Sequence, residues 1–184
     1  VTILEMARYF AAHPAKRTLR FVWFGTEELG LKGSWSYIEK HADELKRHRF
    51  MVNVDVAGGI IGNNNASVMA TEKVANYLDA MGKEHGIGLG ARLSIYSGDC
   101  IPLGHKGVPS VTFARGGGGG PIHTHADTLD DIDAAHLAML GDFVLDFTCK
   151  MANAAEFPFP REIADSIKKQ TKEYIENSGK VLEQ

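Results

Sequence analysis

Two adjacent carboxylates, Glu27 and Glu28, stand at the end of the apolar run Phe21-Val22-Trp23-Phe24-Gly25. Charges at the mouth of an apolar strand are costly unless a cation or a hydrogen-bond network meets them. Strand ends in α/β sheets are also where ligands tend to bind. Two further features share this character. Asp55 falls near the end of the run Phe50 to Val56, ahead of Ala57-Gly58-Gly59, and the segment Ile122 to Thr128 carries His123, His125 and Asp127. Carboxylate oxygen mixed with imidazole nitrogen suits Zn²⁺ or a similar first-row dication. Each feature also has a plainer reading. Adjacent glutamates favour the dipole of a following helix, an Asp after a strand forms turns, and a loop histidine is a ligand only in a minority of cases. Spacing by itself leaves the metal site a suspicion, and the working reading is that Glu28 holds an ion while Glu27 handles a proton.

The elements that must position these residues alternate. Helical periodicity starts with Ile3, Leu4, Ala7, Phe10 and Ala11, without a leading loop or initiator Met, so the N-terminus reads as cut even though Thr2 and Glu5 fit a capping box. Leu19 to Phe24 reads as a strand, apolar enough to be central and covered on both faces. A helix is expected over 33–48, then strands over 50–56 and 66–69, and a helix from Thr71, whose side chain suits the cap. Leu93 to Tyr96 and Val108 to Phe113 complete the strands. Pro109 puts the last of these at a sheet edge or at a strand start. Gly116 to Gly120 read as a flexible loop, and a long helix runs over 132–155 to the stop Phe157-Pro158-Phe159-Pro160. Residues 156–184 are a charged tail or a final surface helix. The alternation predicts one three-layer α/β/α domain over 1–184, with a mostly parallel mixed sheet that is N-terminally truncated.

Bulk composition narrows the function classes. The chain's 184 residues, 44% hydrophobic and 23% charged, fit one soluble globular domain. A net charge of −3 gives no reason to expect nucleic acid or an anionic membrane as partner. No apolar run reaches the roughly 18 residues of a membrane span. No signal peptide is visible, and Cys100 and Cys149 make no disulfide framework, so the compartment stays open.

In order, the segments resemble the M28 family of zinc aminopeptidases. Glu27-Glu28-Leu29-Gly30-Leu31-Lys32-Gly33-Ser34 is similar to its Glu-Glu-x-Gly-Leu-x-Gly-Ser signature, and Asn53-Val54-Asp55-Val56-Ala57-Gly58 to its Asn-x-Asp-x-x-Gly segment. Ser97-Gly98-Asp99 with Gly107-Val108-Pro109 resembles its Ser-Asp loop and Gly-Ile-Pro strand start. Ile122 to Thr128, followed by Asp131-Ile132-Asp133, resembles its Tyr-His-Thr-x-x-Asp-Thr block. The resemblance runs from residue 1 to about 155.

It implies that Glu28 and His123 ligate one zinc, Asp55 a second, and Glu27 is the general base. Asp99 would support a ligand. His125 departs from the family, which often has Pro there, and is a neutral variation unless it orients His123 or touches substrate; Arg115 with the glycine run could shape a substrate rim, plain flexibility being the alternative. The resemblance further implies two zinc ions in the intact site and a peptide substrate with a free N-terminus. The family's upstream His and metal-bridging Asp have no counterpart here, so the chain is expected to bind metal incompletely or not at all. A non-catalytic peptide-binding domain on the same scaffold is the alternative. Cyclase or carboxypeptidase relatives match the Glu-Glu signature less well.

Overall fold

A computed structural model describes residues 1–117 and 121–182. Its centre is a four-stranded mixed sheet of β1 (Met51–Val54), β2 (Gly62–Met69), β3 (Leu89–Leu93) and β4 (Ser110–Gly117), in the order β1-β4-β2-β3. β1 runs parallel to β4 and β2 parallel to β3, while β2 and β4 are antiparallel. Strand alternation divides the two faces. Ala66 and Val68 of β2 lie in register with Phe113 and Val111 of β4, and these four side chains join one buried cluster. Helices α1 (Thr2–Ala12), α3 (Glu72–Glu84) and α5 (Ala134–Asn153) complete it with Met6, Leu78, Phe143 and Phe147. Met69 points the other way. It packs with Ile101 of α4 (Cys100–His105) and Ile167 of α6 (Asp165–Leu182), next to a patch of Ile38, Leu45, Leu103 and Val108 that includes α2 (Lys32–Lys40). The result is the expected three-layer α/β/α arrangement.

Several local expectations move. Leu19–Phe24 runs without strand pairing among the described residues, and Trp23 is 58% exposed rather than covered on both faces. Its apolar composition favours an extended backbone, but a strand also needs a neighbour to take its hydrogen bonds, and among the described residues β1 pairs only with β4. Beyond Phe113 the central strand β4 continues through Gly116 and Gly117, which pair with Asn63 and Gly62, so part of the glycine run is strand. The rest of that run, 118–120, lies outside the described residues. Pro109 does precede the strand start, but β4 is central, and the Pro109 carbonyl accepts from Met51 N–H at 2.9 Å. The strand expected over 93–96 ends instead at Leu93. The helix expected over 33–48 stops at Lys40 and resumes as a 3-10 turn, Leu45–Arg47.

Two caps form differently as well. Glu5 reaches Arg8 at 2.8 Å rather than closing a box with Thr2. Thr71 stands at the N-cap of α3, but its hydroxyl makes no capping bond. A full capping box forms instead around the 3-10 turn Leu129–Asp131, between Thr128 and Asp131. The tail is mostly helical. α6 is seated by Ile163 and Ile167, and the Ala164 N–H donates to the Ala70 carbonyl at 2.9 Å. No helix among the described residues is long and apolar enough to cross a membrane.

Candidate functional site

The acidic pair is carried by a short 3-10 turn, Glu27–Leu29, between the extended segment and α2. Thr26 before it and Leu31 after it both take left-handed backbone, at φ 54° and 58°. Gly33 sets how tightly this turn closes. A Cβ at that position would lie 2.4 Å from the Gly25 carbonyl oxygen, so only glycine lets the start of α2 touch the segment entering the turn. Val56, just after Asp55, and His123 itself complete the non-glycine residues with positive φ among those described, at 46° and 66°. All four lie within three residues of a predicted site residue or at it. Non-glycine left-handed conformations cost about 1–3 kcal/mol each and concentrate where function over-determines the backbone.

The side chains meet. His123 Nδ1 lies 3.4 Å from Glu28 Oε1. Partial burial holds the Glu27 carboxyl above its ordinary value, helped by the negative charges of Glu28, Asp55 and Asp99 and opposed by His123. Asp55 is likewise raised, by burial first and then by Asp99 and Glu28, against a hydrogen bond from the Val56 backbone. Burial also raises Asp99, with Ser34 nearby opposing it; its Oδ1 is buried without a partner among the described residues, and the Ser34 hydroxyl itself donates to the Leu31 carbonyl at 3.0 Å. Four carboxylates thus share one neighbourhood with little counter-charge, a surrounding that favours a cation.

Donor chemistry and the orphaned oxygen fit a dication. The arrangement, however, supplies a pair rather than a cage, because no group of three or more His, Cys, Asp or Glu among the described residues is placed to hold a metal ion.

Of the supporting residues, Asp99 joins the cluster, while His125 is exposed in its turn. Arg115, read as a rim residue, is instead turned inward. Its guanidinium donates to the Gly59 carbonyl at 2.7 Å and to Asn64 Oδ1 at 3.1 Å, bracing the loop after Asp55. Asp127 donates its N–H to the Thr124 carbonyl at 3.2 Å within that turn. Two residues not singled out in the sequence also belong here. Ser34 is fully buried beside Asp99. The Tyr96 phenol is pushed up to about 12 by burial and then by Asp55 and Glu27. The signal for Tyr96 was its place directly before Ser97-Gly98-Asp99.

The model of peptidase family M28 matches residues 1–148, and the chain belongs to that family. It is 31% identical over 160 residues to Aminopeptidase YwaD of Bacillus subtilis (strain 168), covering 77% of this chain and 34% of that protein. It is 28% identical over 170 residues to a probable leucine aminopeptidase of Arthroderma benhamiae, covering 84% of this chain and 44% of that one. The solved zinc aminopeptidase BSAP from Bacillus subtilis superposes with a TM-score of 0.74 at 26% identity, over 91% of this chain and 44% of that structure. The chain thus spans less than half the length of these relatives.

Proposed function

We propose that this chain is part of an aminopeptidase that hydrolyses N-terminal residues from peptides, with zinc held at Glu28 and His123 and at Asp55, and with Glu27 as general base. The observation that carries this reading is the Glu28–His123 pair, 3.4 Å apart beside a Glu27 whose carboxyl is raised. A bound dication would acidify a water and polarise the scissile carbonyl.

The chain's own residues do the rest. Glu28 and Glu27 leave one rigid turn as neighbours, so one can ligate while the other faces substrate. Burial and like charges make Glu27 a better proton acceptor than an ordinary glutamate. It takes the proton of the attacking water and returns it to the leaving amine. Asp99 and Tyr96 lie beside Asp55, on the turn whose Gly98 packs close to Asp55 Oδ2 and the Tyr96 ring.

Glu28 and His123 are two donors within reach of each other and leave coordination open. The chain spans less than half the length of the relatives it matches. Activity then belongs to a protein of the relatives' length. Glu27→Gln in that protein keeps its metal content and lowers kcat about 10²–10⁴-fold. Activity near wild type overturns the base assignment. A protein of that length with neither metal nor turnover favours a peptide-binding domain on the same scaffold.

A further inference from the structure

We infer that Tyr174 of α6 is a positioning residue for this site: its hydroxyl, 2.6 Å from Ser97 Oγ, clamps the turn that holds Tyr96 and Asp99 against Asp55. The catalytic consequence rests on the peptidase reading above, whereas the clamp itself does not. Tyr174 lies beyond residues 1–148, the span the family model matches.

The turn from Tyr96 to Cys100 is where the clamp acts. Gly98 is packed so closely that a Cβ there would lie 3.3 Å from Asp55 Oδ2 and 3.2 Å from the Tyr96 ring. The Gly98 carbonyl accepts from Ile101 N–H at 3.0 Å, and the Cys100 thiol donates to the Tyr96 carbonyl at 3.4 Å. Ser97 itself is exposed, and among the described residues its hydroxyl is held by the bond to Tyr174 of α6. That helix is a firm support. Ile163 and Ile167 are buried against Met69, Cys100 and Ile101, and Tyr174 packs on the same cluster. Through this route α6 sets the position of the two groups that crowd Asp55, without touching Asp55.

Cys100 reports the clamp directly. It is fully closed from solvent, and burial pushes its thiol up to about 11, so it alkylates only when the turn opens. Cys149, a free and partly buried thiol on α5, serves as the internal control. Iodoacetamide labelling of both thiols is followed by peptide mass spectrometry in the chain, in Tyr174→Phe, in Ser97→Ala and in Ser97→Thr. Loss of one net hydrogen bond is expected to speed Cys100 labelling about fivefold in the first two variants, with Cys149 unchanged, and Ser97→Thr restores the slow rate.

An unchanged Cys100 rate in both variants overturns the clamp, and so does an equal acceleration at Cys149, which marks general loosening. In the active protein the two variants lower kcat more than they change KM, and equal kcat overturns the link to catalysis. Because the thiol readout needs no turnover, failure of the clamp and failure of the peptidase reading are separable.

Discussion

Around Phe113, the side chains of Ala66, Val68, Val111, Phe143 and Phe147 are closed from solvent, and the Phe113 ring meets those of Phe143 and Phe147 edge-on at 5.9 and 5.8 Å. At the turns that gather Glu27, Glu28, Asp55 and His123, the same chain accepts the opposite. Backbone is left-handed at Thr26, Val56 and His123, a buried Asp99 oxygen goes unpaired, and Glu28 and His123 are 67% and 61% exposed. The first region contributes stability through packing. The second draws on that stability to hold charges together that repel one another. Local conflicts of this kind are expected where function, rather than folding, selects the residues.

That contrast breaks most sharply at Phe143. Phe143→Ala removes a ring from the middle of the aromatic cluster and is expected to cost about 3–5 kcal/mol, read as a lower midpoint in urea unfolding. A loss below about 1 kcal/mol would mean that the cluster is not the source of the stability on which the strained turns depend.

The two regions were also unequally legible in the sequence. Apolar periodicity is a direct consequence of burial, so α3, α5 and the strands through Val68 and Val111 announce themselves in the residue order. Leu19–Phe24 misleads for the same reason: its composition registers burial and extension but not whether a partner strand is present. In the site, Glu27-Glu28, Asp55 and His123 stood out because their motifs follow one another in the order of the M28 family's, each alone having a plainer reading. Arg115 was misplaced because a guanidinium that braces the carbonyls of Gly59 and Ile60 has the same one-letter code as one that faces substrate. Tyr174 left no trace, since its contact spans 77 residues of sequence.

A smaller test turns the comparison around, asking whether relief of conflict in the site stabilises the fold. Asp99 is half-buried, raised by that burial, and carries an unpaired Oδ1. Asp99→Asn removes its charge from beside Asp55 and is expected to stabilise the metal-free chain by about 1 kcal/mol, measured in the same urea titration. A destabilisation of similar size would show that Asp99 is held by the fold for its own sake.

Away from the site, carboxylates follow the ordinary rule. Hydrogen bonds from His41 and Arg20 hold Glu44 below its usual value, so its folded pKa lies under the unfolded one. The contribution is present above the unfolded pKa and is lost as pH falls through the folded one. Between about pH 5 and pH 3, Glu44→Gln is therefore expected to flatten the fall of stability with acid, while at neutral pH it only lowers the level. An acid limb of unchanged slope would mean that the bonds seen around Glu44 do not persist in solution.

The smallest effect on stability is expected at the residue given the largest part in chemistry. Glu28 and His123 face each other across 3.4 Å, but both are mostly in water, where an ion pair is worth about 0–1 kcal/mol. Glu28→Gln should thus leave the metal-free chain within about 1 kcal/mol of wild type, while abolishing zinc retention at that position in a protein of the relatives' length. Stability and metal content, measured on the same variants, separate two reasons for a carboxylate to occupy that turn. A large loss of stability would make Glu28 a structural partner of His123. A small one, joined to lost metal, leaves ligation as the reason that two acids share a turn flanked by left-handed residues.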